Sequence, residues 1–145
     1  WTGELLVGAE ASANLTFKRW EDAPTAVGSQ VYTTKDIDFG EPGRLKKVYK
    51  VYATYQSNVD QATPLEFSVD GKASFSDFAT GSNVAPAGDS SGDLDAQTAW
   101  DVATFTADTV QTCQSIQFKF NPPDSGTFEL NDISIDYRPI HKRVS

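Results

Sequence analysis

Ile37-Asp-Phe-Gly-Glu-Pro-Gly-Arg-Leu-Lys-Lys-Val-Tyr-Lys-Val-Tyr-Ala-Thr-Tyr55 is the stretch on which the fold turns. From Lys46 to Tyr55 the residues alternate, with Tyr49, Val51, Ala53 and Tyr55 on one side and Lys46, Val48, Lys50, Tyr52 and Thr54 on the other. Period-two alternation rich in β-branched and aromatic residues predicts a strand with one buried and one open face. Just before it, Phe39-Gly40-Glu41-Pro42-Gly43 puts Gly and Pro at turn positions, which predicts a short connection from a preceding strand. Arg44, Lys46 and Lys50, with Tyr52 beside them, fall on the open side. That composition suits a sheet facing solvent or a partner, not a catalytic cleft.

Working outward, strand patterns recur and helical ones do not, for no window joins apolar recurrence at three-and-four spacing to caps at both ends. Ala13 to Trp20 places Leu15 and Phe17 on one face, and Ser29 to Phe39 offers Val31, Thr33, Ile37 and Phe39 in one phase. Leu65 to Val69 alternates cleanly, and Asp70-Gly71 is a two-residue hairpin signal before Lys72 to Phe78. Trp100 to Thr106 and Ser115 to Phe120 follow, the second with Ile116, Phe118 and Phe120 aligned. Thr127 to Tyr137 changes phase between Leu130 and Ile133, which predicts a β-bulge at Asn131-Asp132. Thr80 to Ala99 holds only Val84 and Leu94 as large apolar residues, so an exposed loop joining two sheets is expected, with one helical turn near Asp93 to Ala99. Short strands with turn signals between them predict an all-β chain, an antiparallel β-sandwich of jelly-roll-like form.

The chain has 145 residues, 39% of them hydrophobic, with nine Phe, five Tyr and three Trp. That suffices for one core without disulfide or metal staples. It opens on Trp1 and contains no Met. Residues 1–12 are therefore expected to continue an upstream part, residues 13–139 to form one sandwich domain and residues 140–145 a tail. The formal charge of −8 sets the surface against phosphate backbones, so nucleic acid is not an expected partner. No apolar run is long enough to span a bilayer, and no membrane partner is expected. The charge is uneven. Asp77, Asp89, Asp93, Asp95, Asp101 and Asp108 lie in a stretch without Lys or Arg, while cations gather from Arg44 to Lys50 and at Arg138, Lys142 and Arg143. Acidic and basic regions on one molecule suit head-to-tail pairing with copies or neighbours.

Nothing in the chain assembles a reaction. Cys113 is the sole cysteine and reads as a small core residue, because a thiol nucleophile needs a base and the one histidine is His141 in the tail. Glu66 and Glu129 fall on predicted strands with nothing to set them across a cleft. The chain is read as a non-enzyme without a resident cofactor or metal. Asp89, Asp93 and Asp95 are the residues at which Ca²⁺ would find oxygen ligands, but no Glu closes the loop at the spacing of a helix-flanked calcium loop. A solvated acidic loop is the simpler reading. Asn131-Asp132 at the bulge offers ligands to a metal or a sugar hydroxyl, against the plainer role of satisfying backbone groups freed there. Trp20, Tyr32, Tyr52 and Trp100 are candidates for stacking on a pyranose, against the plainer role of core. Among all these residues Arg44, Lys46, Lys50, Tyr52 and Trp100 are the expected binding set.

Two segments, Lys35-Asp-Ile-Asp-Phe-Gly-Glu-Pro-Gly-Arg-Leu-Lys-Lys-Val-Tyr-Lys-Val-Tyr-Ala-Thr-Tyr55 and Phe128-Glu-Leu-Asn-Asp-Ile-Ser-Ile-Asp-Tyr-Arg-Pro139, resemble the carboxyl-terminal domain of virion structural proteins of tailed, often marine, bacteriophages. The resemblance covers these two segments and brings no catalytic residue. It implies a tail, tail-hub, fibre or particle-surface component in the virion, whose partners are other virion proteins, copies of itself and, through host attachment, a host glycan. A looser likeness is to carbohydrate-binding jelly rolls, which implies the alternative of an extracellular binding module on an enzyme or adhesin.

Overall fold

A computed structural model of the protein describes residues 6–11, 14–19, 31–61, 65–88, 92–121 and 127–140, and of the first two segments the backbone alone. Ten strands follow one another: β1 (Leu6–Ala11), β2 (Asn14–Arg19), β3 (Tyr32–Thr33), β4 (Lys46–Ser57), β5 (Leu65–Val69), β6 (Ser76–Asp77), β7 (Val84–Ala85), β8 (Gln97–Cys113), β9 (Ile116–Phe120) and β10 (Phe128–Pro139). Two four-stranded antiparallel sheets, ordered β10-β4-β8-β7 and β3-β9-β5-β6, form the sandwich. The all-β antiparallel sandwich read from the sequence is the fold found. The chain winds repeatedly between the sheets in jelly-roll-like manner, while β5–β6 and β7–β8 each stay within one sheet. β2, expected as the first strand of the sandwich, instead pairs with β1 in a separate two-stranded sheet. The reading of Leu15 and Phe17 on one face lies outside the described side chains, and Trp20 lies outside the described residues.

The core is where the inner faces meet. Val51, Ala53 and Tyr55 of β4 and Ala103 and Phe105 of β8 pack against Leu65 of β5 and Ile116, Phe118 and Phe120 of β9, all buried. Each large side chain withdrawn from water in this way contributes about 1.5–3 kcal/mol. Phe78 packs against the β5–β9 side of the core. Its ring meets Phe118 edge-on at 5.5 Å between centroids and Phe67 at 5.8 Å, the geometry that ring quadrupoles prefer.

Two turns carry their expected chemistry. Asp70 and Gly71 both have positive φ (53° and 69°), and Lys72 N–H donates to Val69 O at 3.1 Å, closing a tight hairpin turn after β5. Phe39 and Gly40 repeat the pattern with φ of 58° and 74°, and Glu41 N–H donates to Asp38 O at 3.1 Å. This second turn lies in the connection that the sequence predicts before Lys46, and it leads from one sheet to the other. β3 belongs to one sheet and β4 to the other, so residues 34–45 cross the sandwich.

The single phase read for Lys46 to Tyr55 is broken. Lys46 and Val48 are buried together with Val51, Ala53 and Tyr55. Against β10, Val48 pairs with Tyr137 and Lys50 with Asp136, which leaves Tyr49 as an extra residue. Against β8, Val48 pairs with Gln111 and Lys50 with Thr106, so residues 107–110 leave the ladder. Asp108 N–H donates to Phe78 O at 3.0 Å. That contact gives the displaced segment its backbone partner outside the ladder. The predicted bulge is present: the register of β10 shifts between Leu130 and Asp132.

The stretch from Thr80 to Ala99 is more ordered than a plain loop. Its helical turn is a 3₁₀ turn at Gly81–Asn83, not near Asp93 to Ala99. Val84 pairs with Phe105, and Leu94 bridges Gln61 and Ala87. The two apolar residues of this stretch are both buried and pin it to the core.

Candidate functional site

The five residues expected to bind divide into three groups. Lys46 does not belong to the outer surface. Its side chain is fully buried, and Nζ donates to Gln114 O at 2.9 Å, Asp38 O at 2.7 Å and Glu41 O. The Phe39 ring lies 5.8 Å from the ammonium. A buried charge is tolerable only when paired or fully hydrogen-bonded, and these carbonyls meet that requirement. Lys46 is thus a fastener between the crossing segment and the β8–β9 turn. Arg44 sits in the crossing segment, half-buried, its Nη1 2.8 Å from Glu41 Oε1.

Lys50 and Tyr52 share the outer face, and Trp100 stands at its end, where the β4–β8 register shifts between Tyr55 and Ser57. Val51, Ala53 and Tyr55 point into the core, so Lys50, Tyr52 and Thr54 face outward. On β8 the buried Ala103 and Phe105 set Val102, Thr104 and Thr106 on the same outer face. Register places Thr104 and Ser134 on either side of Tyr52, Val102 and Asp132 on either side of Thr54, and Asp136 opposite Lys50. Trp100 is 52% exposed and Val102 51%. Two large apolar residues side by side in water on a threonine-rich sheet make an open face with anchor groups at one end.

A second surface lies at the edge of the sandwich, between the edge strands β3 and β10 of the two sheets. A groove of about 530 Å³ there is lined by Val31, Tyr32, Phe120, Phe128, Leu130, Asn131, Asp132 and Ile133. The Phe120 and Phe128 rings stack 6.4 Å apart beneath it. Tyr32, held by its pairing with Phe120, is 53% exposed. Of these residues the sequence had singled out Tyr32, Asn131 and Asp132 separately. Nothing local to any of them shows that they meet.

The acidic residues mostly stabilise turns. Asp95 accepts from Gln97 Nε2 at 2.9 Å through its carboxylate and from the Tyr55 hydroxyl at 2.7 Å through its carbonyl. Asp93 O accepts from Gly88 N–H at 2.8 Å, and Asp60 Oδ1 from Ala96 N–H at 2.9 Å. Asp89 lies outside the described residues. Among the described residues no three His, Cys, Asp or Glu side chains gather as a metal site. Burial, and then Asp101, Asp95 and Asp60, push the Tyr55 hydroxyl far above its ordinary value, so it acts only as a donor. A shallower pocket of about 340 Å³ carries Asp36, Asp38 and Asp70. There Asp70 Oδ1 accepts from Gln114 N–H at 2.7 Å and Asp38 Oδ1 from Gly40 N–H at 2.9 Å.

Among the described residues the candidate catalytic groups are not brought together. Glu66 of β5 forms an ion pair with Lys119 of the adjacent β9, whereas Glu129 belongs to the other sheet. Cys113 is fully buried, and burial pushes its thiol up to about 11, with Asp70 adding to the rise and Lys46 opposing it. His141 lies outside the described residues.

Compared with protein families, with curated proteins and with solved structures, the chain matches none.

Proposed function

We propose that this domain is a non-enzymatic assembly module of a tailed-phage particle, a tail, fibre or particle-surface component. It docks through the outer face of the β10-β4-β8-β7 sheet onto copies of itself or neighbouring virion proteins. The observation that carries the docking role is the pair Trp100 and Val102, both more than half exposed on one sheet face beside Tyr52, Thr54 and Thr104. Exposed aromatic and aliphatic anchors bordered by polar side chains are the composition of an interface centre and rim. Lys50 with Asp136, and the acidic and basic regions of the chain, supply register rather than affinity. The virion setting rests on the resemblance of residues 35–55 and 128–139. The rival, a carbohydrate-binding module stacking its ligand on Tyr32, Tyr52 and Trp100 together, asks for these three rings to converge on one concavity. Trp100 and Tyr52 lie on the sheet face, whereas Tyr32 lines the edge groove.

Light scattering on the purified chain tests the reading. Self-association that falls about thirtyfold or more in Trp100→Glu, with an unchanged circular dichroism spectrum, is expected, since a central anchor is worth about 2 kcal/mol or more. An association constant unmoved by Trp100→Glu and by Val102→Glu would remove this face from assembly. A chain monomeric at every concentration would leave copies of itself out as the partner.

A further inference from the structure

We infer that the groove between β3 and β10 binds one ring of a neutral saccharide. The inference does not rest on the assembly reading: neither Trp100 nor Tyr52 lines this groove, and Asp132, which flanks Thr54 at the border of the sheet face, is the one residue the two surfaces share. Its volume of about 530 Å³ falls in the range of roughly 300–1,000 Å³ typical of small-molecule sites.

The chemistry of the lining narrows the occupant. Phe120, Phe128, Leu130 and Ile133 give an apolar floor, and the exposed ring of Tyr32 a wall. Asn131 and Asp132 supply the polar atoms. The bulge takes Asn131 out of register, since Leu130 pairs with Tyr55 and Asp132 with Thr54. Neither side chain enters a hydrogen bond or ion pair among the described residues. A carboxylate accepts from two donors and an amide both donates and accepts, which matches vicinal hydroxyls on the rim of a pyranose. The apolar C–H face of the same ring suits an aromatic side chain.

Other occupants fit less well. A wholly apolar ligand would strip water from the Asp132 carboxylate and return no partner. Among the described residues no cation lines the groove to offset that carboxylate against a phosphate or uronate. A peptide adding as a strand needs a continuous ladder, and the bulge interrupts β10 at this point. A neutral sugar satisfies floor, wall and rim together.

The test is titration of the isotope-labelled full chain with glucose, galactose, mannose, N-acetylglucosamine, maltose and cellobiose, followed by amide chemical shifts. One of these is expected to move the amides of residues 31–32 and 128–133 with millimolar-range affinity, the scale for a ligand of so few atoms. Tyr32→Ala and Asp132→Ala should each weaken that sugar about tenfold, Tyr32→Phe should keep affinity within about twofold, and Asn131→Ala should weaken it less than Asp132→Ala. Thermal melts of the variants within a few degrees of the parent establish that folding is intact, and Asn131→Ala and Asp132→Ala at exposed positions guard against loss of fold in Tyr32→Ala. Silence of these amides toward all six sugars up to about 50 mM would overturn the inference. Equal response to glucuronate and glucose, or sugar binding unchanged by Tyr32→Ala, would overturn it as well.

Discussion

Replacing Lys46 by Met should be the most damaging polar substitution in the β4 strand, and its cost can be worked from the three carbonyls around Nζ. Asp38 O also accepts from Glu41 N–H, and Glu41 O from Arg44 N–H, so each keeps one partner when the ammonium is removed. Gln114 O has Lys46 as its donor and is left without one. A part-buried acceptor left without its donor costs at most about 1–3 kcal/mol, and the loss of a second, charge-assisted bond at the other two adds less than their full strength. The variant also escapes the desolvation of a buried charge. The balance is a destabilisation of about 2–4 kcal/mol. Lys46→Ala, which also loses the aliphatic stem beside Phe39, should cost about 1 kcal/mol more. A chain of 145 residues has an unfolding entropy near 0.3 kcal/mol/K, so Lys46→Met should lower Tm by about 7–13 °C. Differential scanning calorimetry reads this directly, with Lys50→Met on the outer face as the control, expected within about 0.5 kcal/mol of the parent. A Lys46→Met melt within 2 °C of the parent, or no further from it than Lys50→Met, would refute the fastener role.

Two further predictions concern titratable groups outside any site. Hydrogen bonds from the Thr80 hydroxyl, Asn83 and the Thr80 N–H hold the Asp108 carboxyl below its ordinary range. A depressed folded value means that its stabilisation is complete above the ordinary carboxylate value of about 4 and fades as pH falls through the folded value. Asp108→Asn should therefore melt below the parent at pH 7, with the gap narrowing in acid, and a gap constant from pH 7 to 2 would contradict this. Cys113, fully buried with its thiol pushed up to about 11, should resist iodoacetamide at pH 8 and react once urea unfolds the chain. Alkylation of the folded chain at the unfolded rate would show that the β8–β9 end of the core opens freely.

Strand existence and sheet-forming character were legible because each depends on neighbours two residues apart. Ile116, Phe118 and Phe120 turn inward as their alternation requires, and the phase change at Asn131-Asp132 marked a real bulge. The second irregularity escaped the pattern. Val48 and Val51 are both apolar and Tyr49 fits either face, so nothing in the string marks the extra residue that Tyr49 becomes beside β10. Lys46 was placed on the wrong side for that reason.

Composition and alternation by themselves determined an all-β sandwich chain, its principal turns and most of its core-facing residues, since side-chain direction and turn dihedrals are local properties. Which strands neighbour one another, the burial of an ammonium under three carbonyls, and the meeting of Tyr32 with Asn131 and Asp132 were decided only in three dimensions. Those features join residues about 70 to 100 positions apart, and their free energy exists only after two sheets have closed on each other.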